Sequence, residues 1–411
     1  MKWLHFLLVT TIFCLSACQI SPVDSSELLP ITTPKIERRP APMDFQRGAL
    51  AWVPHYDPES KDSFQIDLRS YDLSGLDLRG SLDDLLYAVF DDQTIWPSND
   101  QLPEGFDCER ILELGKNPGL GVRSLHERGI TGYGVGVAII DQPLLTEHQE
   151  YASQLKLYEE NKLVYRDVST SIHGPAVASI AVGESLGVAP EATLYYIASW
   201  PGDYDVRTRV FTRNFRYYAE AIMRILEINE QLPEENRIRV ITMQIGWYPT
   251  DEGAVDLRLA VEQAKAAGML VVSSNIEKTY GFKFHGLGRH PLADPDLFES
   301  YEPGLFWAES FFAGDRFTDR LLIPMDSRTT ASPTGIDAYV FYRQGGWSWS
   351  IPYIGGVYAL AAQVDEAITP ERFWSLAMET GRTIAVVHGD DTVPLGPILD
   401  PVALIEALEN E

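Results

Sequence analysis

Three short segments carry reactive side chains in settings that chemistry could use. The first is Gly134-Val135-Gly136-Val137-Ala138-Ile139-Ile140-Asp141, an apolar run that ends directly in a carboxylate. A core strand that stops at Asp places it at a functional edge, although a cap or turn residue reads the same way. The second is His173-Gly174-Pro175-Ala176-Val177-Ala178-Ser179-Ile180-Ala181, where an imidazole opens a helix of small residues. Small side chains let such a helix pack tightly on a sheet and fix the ring. The third is Gly346-Trp347-Ser348-Trp349-Ser350-Ile351-Pro352-Tyr353-Ile354-Gly355-Gly356, with hydroxyls at Ser348 and Ser350. They lie just before a helix that is expected to hold Pro352 in its first turn, where a missing N–H costs little. A helix N-terminus offers free N–H groups and a positive dipole end, suited to a developing oxyanion. Carboxylate, imidazole and hydroxyl together are the parts of an acyl-transfer site.

The surrounding pattern must position these groups. Strand-like runs occur at Val135–Ile140, Thr193–Ile197, Arg239–Met243 and Met269–Ser273. Helical patterns lie between or after them, at Gly174–Gly183, Phe215–Gln231, Ala254–Ala267, Pro352–Gln363 and Pro370–Thr380. Such alternation predicts an α/β fold, a mostly parallel sheet with helices on both faces. Chemistry in such sheets gathers at the C-terminal ends of the strands.

In the order Asp, His, Ser, these segments resemble the subtilisin-like serine peptidases, the subtilases. That family's motifs read Asp-Thr/Ser-Gly, His-Gly-Thr-His-Val-Ala-Gly and Gly-Thr-Ser-Met-Ala-Xaa-Pro. Asp141 and His173 are separated by 32 residues (141 to 173), as in the family's type member. Gly187-Val188-Ala189-Pro190-Glu191-Ala192 matches the family's Gly-Val-Ala-Pro-Xaa-Ala. The family's Pro follows its nucleophile by four positions, so Pro352 selects Ser348 over Ser350. Val240-Ile241-Thr242-Met243-Gln244-Ile245-Gly246 resembles the strand that binds the substrate backbone, which implies substrate contacts at Gln244, Ile245 and Gly246. Ala267-Gly268-Met269-Leu270-Val271-Val272-Ser273-Ser274-Asn275 resembles the strand that delivers the oxyanion-hole Asn, which implies that role for Asn275. Ile398-Leu399-Asp400-Pro401-Val402-Ala403-Leu404 resembles the closing helix. The resemblance runs over about residues 117–409 and rests on these seven segments in the family's order.

The sequence also departs from the family. Gln142-Pro143 follow Asp141, Pro175-Ala176 stand for Thr-His, Ser179 for Gly, Trp347 for Thr and Trp349 for Met. The segment before Asn275 is shortened. Residues 276–340 are a long aromatic-bearing stretch, expected to reshape the cleft wall.

The resemblance implies a three-layer subtilisin-like fold and a serine endopeptidase, with Asp141, His173 and Ser348 as its triad. It implies protein or peptide substrates, a monomer and no catalytic cofactor. Structural calcium sites are common in the family, but no run of oxygen ligands maps one here. The alternative is a catalytically inactive, peptide-binding relative. An α/β-hydrolase would need its Asp and His after the serine; His388 and Asp390 exist, but only 63 of the 411 residues follow Ser348. A metalloenzyme lacks its His-Glu-Xaa-Xaa-His pattern. His148-Gln149-Glu150 reads instead as a structural turn, and His285 and His290 as loop residues.

The N-terminus reads as an address. Residues 1–17 form a secretion signal, with Lys2 before an apolar run too short to span a bilayer. Leu15-Ser16-Ala17-Cys18 resembles a lipobox, so Cys18 is expected to be lipidated and to anchor the chain outside the cytoplasm of a bacterial cell. Residues 18–44, rich in Pro and Ser, read as a flexible tether. Residues 45–110 form an N-terminal extension or propeptide-like region, with Asp72-Leu73-Ser74-Gly75-Leu76 and Asp77-Leu78-Arg79-Gly80-Ser81-Leu82 repeating a short unit. Residues 111–411 are the peptidase domain. The net charge of −26 excludes nucleic acid, whose phosphates need a basic face. Of three cysteines only Cys108 lies in the body of the chain, so no intramolecular disulfide is expected.

Overall fold

The computed structural model describes residues 34–410, except 46, 61, 164–168, 206 and 317. The signal segment, Cys18 and the first part of the tether lie outside the described residues. In chain order the first strands are Lys35–Ile36 (β1), Phe90–Asp91 (β2), Gly136–Asp141 (β3), Leu155–Asn161 (β4), Thr193–Ser199 (β5), Gly202–Asp205 (β6), Val210–Arg213 (β7), Ile238–Met243 (β8) and Leu270–Ser273 (β9). Six of them form one parallel sheet, ordered β1-β4-β5-β3-β8-β9. β3 sits inside it, and every one of its residues is buried. This explains its unbroken apolar sequence, since a central parallel strand is covered on both faces.

The helices are Leu82–Leu86 (α1), Cys108–Lys116 (α2), Val122–Glu127 (α3), His173–Val182 (α4), Arg216–Asn229 (α5), Ala254–Ala266 (α6), Ile276–Tyr280 (α7), Ala308–Phe312 (α8), Trp347–Val364 (α9), Pro370–Thr380 (α10) and Pro401–Glu409 (α11). The period-2 alternation of β3 divides the core. Val137 and Ile139 pack with Val177 and Ile180 of α4 and Ile354 and Val357 of α9. Ala138 and Ile140 point the other way, toward Ile222 and Ile225 of α5 and Leu257 and Val261 of α6. The result is the expected three-layer α/β arrangement, with α4 and α9 sharing one face of the sheet.

Residues 276–340 form regular structure. They supply Phe284–Arg289 (β10), Tyr301–Pro303 (β11), Leu321–Pro324 (β12), Arg328–Ala331 (β13) and Tyr339–Tyr342 (β14). With Arg382–His388 (β15) and Asp391–Ile398 (β16), three of these form a second sheet, β11-β10-β12-β16-β15. β12 is buried throughout, so the aromatic and aliphatic residues here mainly build core. The antiparallel β13–β14 hairpin then leads directly into α9.

The N-terminal region is joined to this body. β2 pairs with β14, and Phe341 of β14 sits in one apolar cluster with Ile66, Leu68, Leu85, Phe90 and Ile111. The end of the expected tether is also docked. Lys35 and Ile36 pair with Leu157 and Tyr158 as the sheet's edge strand, and Lys35 reaches Glu159 at 2.6 Å. Tether-like composition hid this, because a two-residue strand leaves no periodicity to read.

Candidate active site

β3 ends at Asp141, and the C-terminal edge of the sheet presents its carboxylate, only 3% exposed. The Oδ1 atom accepts a hydrogen bond from the Gln142 backbone N–H at 2.7 Å. It also lies 2.7 Å from Nδ1 of His173, the first residue of α4. Gly174 makes this approach feasible. A Cβ there would stand 2.7 Å from the Gln142 carbonyl oxygen and 2.8 Å from that of Pro143. Burial opposes charging of the His173 imidazole, but the charge and the hydrogen bond of Asp141 outweigh it. The net effect holds the imidazole above its ordinary value of 6.5.

Ser348 lies in the first turn of α9, which starts at Trp347, earlier than expected. Pro352 therefore stands inside the helix, in its second turn. A proline there has no N–H for the carbonyl four residues back, which is that of Ser348. The first N–H groups of the helix also lack intrahelical acceptors. Ser348 is half-buried. Ser350 is fully buried, and its hydroxyl donates to the Pro324 carbonyl at 3.3 Å. Of the two serines, only Ser348 is not fully buried. α9 packs along α4. The Trp349 ring bridges the two helix starts, its centroid 5.5 Å from that of His173 and 5.3 Å from that of Tyr342.

Asn275 follows β9 and begins α7. Its Nδ2 donates to the Trp247 carbonyl at 2.8 Å, and its Oδ1 accepts from the Trp247 N–H at 3.1 Å. The amide thus clamps the backbone beyond β8. Gln244, Ile245 and Gly246 follow β8. The Ile245 N–H donates to Met243, and its carbonyl accepts from Ser274. Both backbone groups of Ile245 are used internally, so any pairing with a peptide falls to its two neighbours.

Three other histidines are engaged in packing or structural contacts. His148 is fully buried; its Nδ1 accepts from the Glu150 N–H and its Nε2 donates to the Ala338 carbonyl. His285 is not a loop residue but lies in β10, ringed by Phe306, Trp307 and Trp347, and burial pushes it down to about 4. His388 stacks on Phe312 at 3.9 Å. Among the described residues no group of three or more His, Cys, Asp or Glu is arranged to hold a metal, and no helix is long and apolar enough to cross a membrane. Two features escaped the sequence reading: the Trp349 ring against His173, and Asp326, a buried carboxylate that accepts from the Gly345 N–H just ahead of Ser348. An acidic residue inside an apolar stretch was the only signal for the second.

The model of the Subtilase family matches residues 132–296, which hold Asp141 and His173, while Ser348 lies beyond the match. Among solved structures, the prenylagaramide maturation protease PagA is 16% identical, with a TM-score of 0.46 over 71% of this chain and 99% of that one. A serine-to-alanine mutant of the protease domain of PatA is 19% identical, with a TM-score of 0.44 over 68% and 96%. No curated protein sequence matches. Over the matched region, residues 132–296, the chain is similar to the Subtilase family.

Proposed function

We propose that the chain is a serine endopeptidase that works through Asp141, His173 and Ser348 and an acyl-enzyme. The observation that carries this reading is the 2.7 Å contact between His173 Nδ1 and Asp141 Oδ1, next to the helix start that bears Ser348. Asp141 holds the imidazole with its Nδ1 protonated, which leaves Nε2 as the base. Ser348 Oγ attacks the peptide carbonyl as Nε2 takes its proton. The imidazolium then protonates the departing amine, and water repeats the sequence to release the acid. The Ser348 N–H, and the hydrogen on Asn275 Nδ2 not given to Trp247, would hold the oxyanion. An extended substrate would pair through Gln244 and Gly246 as an added strand.

A fluorophosphonate probe tests this reading on the full chain. Labelling at Ser348 that disappears in Ser348→Ala supports it. A folded chain that stays unlabelled favours the second reading, an inactive peptide-binding subtilase, which the engagement of the Asn275 amide with Trp247 favours. We also propose that Cys18 is lipidated and anchors the chain on the outer side of a bacterial membrane. Incorporation of a fatty acid analogue, lost in Cys18→Ala, is the expected result, and equal incorporation in that variant would sink the anchor.

A further inference from the structure

The turn that delivers Ser348 is held from behind. Gly345 lies three residues ahead of Ser348, and its N–H donates to Asp326 Oδ1 at 2.7 Å. The other oxygen, Oδ2, accepts from the Leu305 N–H at 2.8 Å. Asp326 is 2% exposed and follows β12 by two residues. The same strand end makes two more contacts with this turn. A Cβ at Gly345 would stand 2.3 Å from the Met325 carbonyl oxygen, and Ser350 Oγ donates to the Pro324 carbonyl. Leu305 begins the segment whose Phe306 and Trp307 enclose His285, and His285 touches Trp347, the neighbour of Ser348. One carboxylate therefore ties both walls of the nucleophile turn to the end of β12.

We infer that Asp326, in its ionised form, is a positioning residue that fixes the Gly345–Ser348 turn for attack. This rests on the reading of Ser348 as the nucleophile. Both contacts of Asp326 come from N–H donors, so both oxygens must accept. Protonation would turn one oxygen into a donor facing a donor. The titratable groups around it are Arg343 just after β14, Glu302 of β11 and, from the N-terminal region, the neutral Tyr56. Burial raises its carboxyl to about 6; Arg343 and the two N–H groups oppose this, and Glu302 adds to it. A carboxyl raised above its unfolded value of 3.8 makes the ionised form cost stability as pH rises through that window. Stability alone would therefore not favour a carboxylate here, but orientation of the turn would.

Asp326→Asn puts an NH2 group against one of the two donors. The fluorophosphonate labelling rate of wild type and variant, followed over about pH 5 to 8, reads the effect on attack. Hydrogen exchange at the Gly345 amide, corrected for intrinsic rate, reads the clamp without needing activity. The expected results are labelling slowed about tenfold, an acid limb that loses one of its two ionisations, and faster Gly345 exchange, with no loss of thermal stability. In wild type alone, Gly345 protection should fall as pH drops through about 6, a readout that survives misfolding of the variant. Wild-type labelling with an unchanged rate and limb in the variant overturns the inference, as does Gly345 protection that ignores both pH and substitution. An unlabelled wild type whose Gly345 exchange still responds removes the nucleophile assignment and leaves the clamp.

Discussion

Asp141 sets the protonation of His173 before any substrate arrives. In the proposed triad the imidazole must be neutral to accept the Ser348 proton, so activity should fall as pH drops through its pKa. That pKa lies above 6.5, because the charge and hydrogen bond of Asp141 outweigh burial. The acid limb of kcat/KM should therefore be centred above 6.5. In Asp141→Asn only burial remains, so the limb should move below 6.5 and kcat should drop by about 10⁴; a limb that stays put in a pH–rate profile would refute the pairing. Ser348→Ala should lower kcat on the order of 10⁶-fold, read by peptide hydrolysis. At this scale the sequence was legible where spacing and motif order carried the signal, as for Asp141 and His173. It was silent where a residue's meaning depends on a distant partner. Asp326 finds its donors at Leu305 and Gly345, and Asn275 spends its amide on Trp247. No local pattern announces either arrangement.

The elements were legible where tertiary packing and local pattern agree. α10 appears at the expected bounds, with Thr369 capping Arg372 and proline at its first position. α9 differs because Pro352 was read as a first-turn residue, whereas the helix starts at Trp347 and carries the proline one turn in. The proline leaves the Ser348 carbonyl without its helical donor. The start of α4 is equally constrained. Gly174→Ala puts a methyl group 2.7 Å from the Gln142 carbonyl oxygen and must push α4 away from β3. Alanine is the better helix former by about 1 kcal/mol, yet the variant should lose about 1–3 kcal/mol by urea unfolding and much of its labelling rate. A variant as stable and as reactive as wild type would show that the contact yields at no cost. Residues 276–340 were the least legible stretch. Their strands are short and their aromatic residues are spread over two sheets, so neither period stands out.

For the molecule as a whole, the open question was whether residues 45–110 leave or stay. β2 completes the small sheet with β14, whose last residue precedes Ser348 by only a few positions. Phe341 is 1% exposed within the shared cluster, and uncovering that ring alone forfeits about 2 kcal/mol. A chain that starts at residue 111 should therefore unfold at lower urea and label poorly. N-terminal sequencing of the active protein should find this region still present, and an active form beginning near residue 111 would make it a propeptide after all. The edge strand β1 has a mechanical consequence. A load applied at the N-terminus enters the body at Lys35 and Ile36, where only two residues pair. Those pairs and the Lys35–Glu159 and Arg38–Glu160 bridges would rupture before the central strands bear tension. The contacts from Ala41 to Thr170 and from Met43 to Pro333 would then take the strain. Residues 35–40 would thus act as a fuse: once freed they add a leash of at most about 20 Å under a tug, while the central strands stay unloaded.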